Sequence, residues 1–221
     1  MKKTIFVLGM VVALIGLTMG LSGVANADPS FSITVYNGTY QSGVTDVATL
    51  ANMPPSALIT ATFTYTGSIN FSTSNVNNTF GDFGFTTTNI TGYSSSSVPT
   101  VANFLNLTMS TPGETGGATN TYMVITGTTG GGLATVLHDD GASLYNGTGA
   151  AATAVFESGN PTVEIPNSGN LLPGDFTLVY VESNGAPSVL EMSVPEPSTL
   201  LLFGVGLLGL GVIGLRRKQE A

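Results

Sequence analysis

The chain has no cysteine, no tryptophan, a single histidine and only five basic residues in 221. Without cysteine there is no disulfide, no thiol nucleophile, no iron–sulfur cluster and no thiolate zinc site, so the core must hold the fold alone. One histidine, His138, excludes a multi-histidine metal centre. The missing tryptophan removes the strongest ring for stacking on sugars and leaves tyrosine for that role. The cations are not only few but segregated: Lys2 and Lys3 stand at one end, Arg216, Arg217 and Lys218 at the other. Residues 28–194 therefore contain no Lys or Arg. They hold eleven of the thirteen acids, all except Glu196 and Glu220. A body without one cation cannot neutralise phosphates, which excludes nucleic acid as a partner. It also offers no Arg clamp or phosphate-loop lysine, which argues against nucleotide cofactors and phosphorylated substrates. Its acids have no salt-bridge partner within the body and must find counterions in solvent or in a bound divalent ion. Solubility rests on Ser, Thr, Asn and Gly.

The two ends read as targeting segments. Lys2 and Lys3 precede an apolar run from Ile5 to about Leu21, and Ala25-Asn26-Ala27 then places small residues where a signal peptidase reads them. Residues 1–27 are read as a signal peptide handled by the Sec machinery, with Asp28 as the new N-terminus. At the other end Val194-Pro195-Glu196-Pro197-Ser198 leads into an uncharged run from Thr199 to Leu215, closed by Arg216-Arg217-Lys218. At about 1.5 Å per residue this run reaches about 26 Å, close to the hydrocarbon thickness of a bilayer. The cations after it should stay cytoplasmic, which leaves the preceding domain outside.

This tail resembles the PEP-CTERM sorting signal of Gram-negative bacteria. The resemblance covers Val194 to Lys218 and joins three features in order: Pro195-Glu196-Pro197, a glycine-spotted apolar run, and the arginine-rich end at Arg216 and Arg217. It implies recognition by an exosortase, removal of the tail, and delivery to the envelope or to exopolysaccharide, with the protein held in the inner membrane before sorting.

Between the ends, residues 28–193 read as one β domain. Phe31–Tyr36 and Ala61–Thr66 alternate bulky and polar side chains, as half-buried strands do. Further strands are expected at 80–88, 101–109, 122–126, 133–137, 142–145, 153–156, 162–165, 176–182 and 189–193, separated by Gly-, Asn- and Pro-rich breaks. A short helix is expected over Val44–Met53, ended by Pro54-Pro55. The fold class is all-β, a two-sheet β-sandwich flanked by an N-terminal signal helix and a C-terminal transmembrane helix over 199–215.

The most informative internal stretch is Leu133–Gly147, in which two apolar-patterned runs flank Asp139-Asp140-Gly141. Asp-Gly favours a tight hairpin turn, and the plainest reading is such a turn with solvated acids. The stretch also resembles the central hairpin of PA14-type β-sandwich domains. Leu172–Leu190, with Tyr180-Val181-Glu182 closing a strand, is similar to their last strands. In the lectin members of that family an adjacent Asp pair binds Ca²⁺, and the ion holds sugar hydroxyls; many other members bind no sugar there. The resemblance thus implies Ca²⁺ at Asp139 and Asp140. Two carboxylates suit an ion that takes six to eight hard oxygens. Successive side chains on a strand point to opposite faces, so both reach one ion only through a bent or cis peptide.

His138 beside two acids is no catalytic relay, since neighbours on a strand do not bond as a triad. The run Gly127–Gly132 has no following lysine and reads as a loop. The expected protein is an exported, exosortase-sorted, non-catalytic surface or matrix protein associated with the envelope or with exopolysaccharide, supporting biofilm or aggregation. A calcium-dependent carbohydrate-binding module is the second reading, and an exported glycan hydrolase the third.

Overall fold

The computed structural model describes residues 29–112, 117–160 and 163–194. The expected signal peptide, residues 195–221 of the sorting tail and the helices expected in both lie outside these residues. Among the described residues no helix is long and apolar enough to cross a membrane.

Among the described residues eleven strands form two antiparallel sheets. The larger sheet has the order β4-β2-β1-β5-β10-β7-β8. Its strands are β1 (Ser30–Thr39), β2 (Ala61–Thr66), β4 (Ile90–Ser94), β5 (Thr119–Thr129), β7 (Gly141–Asn146), β8 (Thr153–Ser158) and β10 (Gly174–Glu182). The smaller sheet runs β3-β11-β6-β9, from Asn70–Thr73, Ser188–Ser193, Gly132–Asp139 and Ile165–Leu171. One core joins them: Ile33, Phe63, Ile125, Leu144 and Leu178 of the larger sheet share it with Phe71, Val136 and Leu190 of the smaller. The expected two-sheet β-sandwich is thus what forms.

The central strands are buried on both faces. On β10 every residue from Phe176 to Glu182 is buried, in keeping with an apolar run that does not alternate. The outer cover is the segment after β1: Val44 and Ala48 pack on Tyr36, Tyr122, Tyr145, Val179 and Val181. Tyr122 donates to the Thr49 carbonyl at 2.6 Å, and Tyr145 Oη accepts from Leu50 N at 3.1 Å. The helix expected over Val44–Met53 is only a 3-10 turn at Leu50–Asn52, with another at Ser56–Leu58.

Two expected strands are helical turns instead: α1 (Phe80–Phe83) and α2 (Val101–Leu105). Thr79 and Asp82 form a capping box, and Thr100 accepts from Asn103 N. These caps satisfy helix-start donors that a strand would leave to a neighbour. The turns insert aromatic rings into the side of the sandwich: Phe80 stacks on Phe104 at 4.3 Å and Phe83 on Tyr180 at 5.6 Å. The strand expected at 162–165 begins only at Ile165, and the short edge strands β3 and β4 were not anticipated.

The sandwich has two distinct ends. β10 rises from Gly174, paired with Thr129, to Glu182, paired with Thr121. On the smaller sheet β11 runs the other way, from Val189 beside Asp139 to Ser193 beside Thr135. Asp139, Asp140 and the loop 183–187 therefore share one end. Pro29, the turns at 130–131 and 172–173, and Val194 share the other.

Candidate functional site

Asp139-Asp140 is not the tip of a hairpin. β6 pairs with β11 and β9 in the smaller sheet, whereas β7 pairs with β10 and β8 in the larger. The Asp139-Asp140-Gly141 step carries the chain from one sheet to the other. Gly141 is needed there for space rather than for a turn: a Cβ at this position would run into the Gly159 carbonyl. That carbonyl accepts from Ala48 N at 3.1 Å and cannot move freely.

Both aspartates are buried, at 6% and 4% exposure, and the bond between them is cis. Asp140 is held from the loop between β10 and β11. Its Oδ2 accepts from Ser183 N at 2.8 Å, Ser183 Oγ at 3.2 Å and Asn184 N at 3.2 Å. Asn184 Nδ2 approaches Oδ1 at 3.4 Å. Burial raises the Asp140 carboxyl above the usual range, and these donors pull it back. Asp139 is pushed up to about 6, first by burial, then by the charges of Asp140 and Glu164, and by the hydrogen bond its protonated form donates to the Asp140 carboxylate. Its backbone carbonyl accepts from Tyr180 Oη at 2.6 Å.

His138 fixes the step from the other side. Its ring is fully buried. Nδ1 lies 2.7 Å from the Asp140 carbonyl, which can only accept, so Nδ1 carries the proton. Nε2 is then the acceptor for Asn167 Nδ2 at 2.9 Å. Burial lowers the His138 pKa, which agrees with a neutral ring. The ring touches the Asp140 backbone and not its carboxylate, so it positions the Asp pair.

Beneath the pair lies a second polar cluster. Glu182 has no exposed surface and is pushed up to about 8, chiefly by burial and then by the charge of Asp140. Tyr180 Oη stands 2.9 Å from Glu182 Oε2. Tyr180 has one proton for two acceptors, the Asp139 carbonyl at the shorter distance and Glu182 Oε2. The raised pKa of Glu182 favours a protonated carboxyl, which would supply the second proton. Glu182 Oε1 accepts from Ser110 Oγ at 2.8 Å and Asn78 Nδ2 at 3.2 Å, and Ser110 Oγ accepts from Gly185 N at 2.8 Å. One cluster thus ties β10, the 183–187 loop and the Asp139 carbonyl together. Sequence reasoning passed over Glu182, Asn78, Ser110, Ser183 and Asn184. Glu182 alone carried a local signal: Leu178, Tyr180 and Glu182 lie two apart, on the face that points into the core.

The donor set at Asp139 and Asp140 is oxygen throughout, which suits a hard cation such as Ca²⁺. Among the described residues no three His, Cys, Asp or Glu side chains gather as a metal group. An ion here would have two protein carboxylates, with Asp140 Oδ1 and both Asp139 oxygens the least engaged. Backbone carbonyls, water or a bound hydroxyl compound would have to complete its shell.

The chain's last segment has a family match. Residues 193–218 match the PEP-CTERM protein-sorting motif. This covers Pro195, Glu196, Pro197, Arg216 and Arg217. The PEP-CTERM motif implies export, membrane association, exosortase processing and sorting to the cell surface of Gram-negative-type bacteria. No curated protein matches the chain. Among solved structures, the chain is similar to the PA14 domain of the MpAFP antifreeze protein, at 17% identity and TM-score 0.45, covering 79% of this chain and 88% of that one. It is also similar to the PA14 sugar-binding domain from an RTX adhesin, at 15% identity and TM-score 0.38, covering 76% and 91%.

Proposed function

We propose that this is a non-catalytic surface protein that lodges in the envelope or the extracellular polysaccharide after exosortase has removed its tail. The observation that carries the reading is the PEP-CTERM motif at 193–218, joined directly to the end of a closed sandwich. Two features of the body support it. The domain has no cation with which to grip an anionic substrate. Its most perturbed carboxyl, Glu182, is sealed in a satisfied internal network and has no open face for a substrate. Such a body contributes bulk, hydration and anionic surface to a matrix. The test is fractionation of producing cells into cytosol, inner membrane, outer envelope and exopolysaccharide. The protein should be recovered with the envelope or polysaccharide. Recovery in the cytosol, or wholly in the inner membrane with exosortase present, would contradict the proposal.

A second reading rests on the Asp139–Asp140 pair itself: calcium-dependent carbohydrate binding at this end of the sandwich. Two adjacent buried carboxylates with no cationic neighbour repel each other, and a divalent cation relieves that repulsion. Thermal melts with Ca²⁺ and with EDTA at neutral pH discriminate. A calcium-dependent rise in Tm that disappears in Asp139→Asn supports the site. Identical melts in calcium and EDTA remove it, and glycan binding through calcium goes with it.

A further inference from the structure

The two ends of the sandwich differ in how they relate to the tail. β11 delivers the chain to Val194 at the end that also holds Pro29, the start of the described chain. Pro29, Phe31, Ile69, Phe176, Met192 and Val194 line one apolar groove of roughly 240 Å³ there. The turns beside it expose Leu133 and Leu172, at 53% and 62%. Register places both leucines at this end, because Gly132 pairs with Leu171.

Only Pro195, Glu196, Pro197 and Ser198 separate Val194 from the apolar run at Thr199. Five residue steps span at most about 18 Å even when fully extended. Headgroups take up roughly 5–8 Å on each side of the hydrocarbon. The sandwich cannot stand far from the surface while the tail is in the membrane. The end that faces the lipid is the one where the chain leaves.

We propose that, until the tail is cut, this end of the domain rests on the outer headgroup layer, with Leu133 and Leu172 against lipid. The Asp139–Asp140 end is then held away from the membrane. Nine residues of β10 separate the two ends, which at about 3.3 Å each is roughly 26–30 Å. The body has no Lys or Arg to bind anionic lipid, so the short tether and the apolar side chains set this orientation, not charge. Cutting the tail releases both constraints together. The inference rests on the reading of residues 199–215 as a membrane span.

The absence of cysteine makes the test direct. Single variants Leu172→Cys, Val163→Cys and Leu207→Cys are labelled with a fluorophore in the tail-bearing chain. The chain is reconstituted in phosphatidylethanolamine–phosphatidylglycerol nanodiscs containing lipid spin-labelled on the headgroup or deep in the acyl chain. Val163 is exposed as fully as Leu172, at 63%, but precedes β9 at the opposite end. The label at 207 should be quenched by the deep probe, the label at 172 by the headgroup probe, and the label at 163 by neither. Quenching at 207 with equal signals at 172 and 163 would overturn the orientation and leave the span intact. No quenching at 207 would overturn the span, and the orientation with it.

Discussion

Replacing Glu182 with glutamine should remove most of the pH dependence of stability between pH 6.5 and 8. Glu182 is pushed up to about 8 in the folded chain, against 4.5 for its ordinary value. Below pH 4.5 the residue is protonated whether the chain is folded or not, and its contribution to stability is fully present. As pH rises, the unfolded chain gives up the proton while the folded chain keeps it. Stability then falls by about 1.4 kcal/mol per pH unit until the folded pKa is passed. The full difference is at most about 5 kcal/mol across the window. Asp139, raised to about 6, adds the same sign at lower pH. His138 has the opposite sign, because burial lowers its pKa and the unfolded ring takes up a proton below about 6.5. Asp140 is also raised and carries the same sign as Glu182, so the range from 6.5 to 8 is read as the difference between the native chain and the Glu182→Gln variant, in which the other groups are common to both. The Glu182→Gln amide keeps a donor toward Tyr180 and an acceptor toward Ser110 and Asn78, at the cost of one extra buried N–H, about 1 kcal/mol. Urea unfolding followed by far-UV circular dichroism measures both proteins. The variant should be slightly less stable at pH 5, with a nearly flat profile above 6.5, and more stable than the native chain at pH 8.5. Parallel profiles for the two proteins would refute the neutral acid and the proton placement at Tyr180.

Three further outcomes follow from the same geometry. Gly141→Ala sets a methyl group against the Gly159 carbonyl and should cost more than about 3 kcal/mol or abolish folding, read by the same urea titration. His138→Ala strands the Asp140 carbonyl and the Asn167 amide and should destabilise by about 2–4 kcal/mol in the same assay. Any calcium-induced rise in Tm should be larger at pH 7.5 than at pH 5, because Asp139 holds a proton below about 6. A rise of equal size at both pH values would exclude Asp139 as the responsive group.

Much of the sandwich was legible because its strands obey short-range rules. Ala61–Thr66 alternates and forms β2 over those residues, and the apolar run at 176–182 lies within β10. The failures share a cause. Phe80–Phe83 and Val101–Leu105 have strand-like composition, but the Thr79–Asp82 and Thr100 caps start helical turns and the core claims their aromatic rings. The Thr-x-x-Asp spacing of the capping box is present in the chain, beside an apolar pattern that reads as a strand. Asp139-Asp140-Gly141 was legible as a change of direction, not as a change of sheet. Hairpin and crossover share the same local pattern, and pairing with β10 and β11 decides between them. The bonds that shape the site join residues far apart in the chain, His138 to Asn167 and Asp140 to Ser183 and Asn184. No periodicity encodes such pairs.

The most direct test is intact mass of the protein recovered from the surface of a producing, exosortase-competent cell. A polypeptide that starts at Asp28 and lacks Leu200–Leu215 is the expected product. A cytosolic species with residues 1–27 still attached would contradict export, and with it the whole account of this chain.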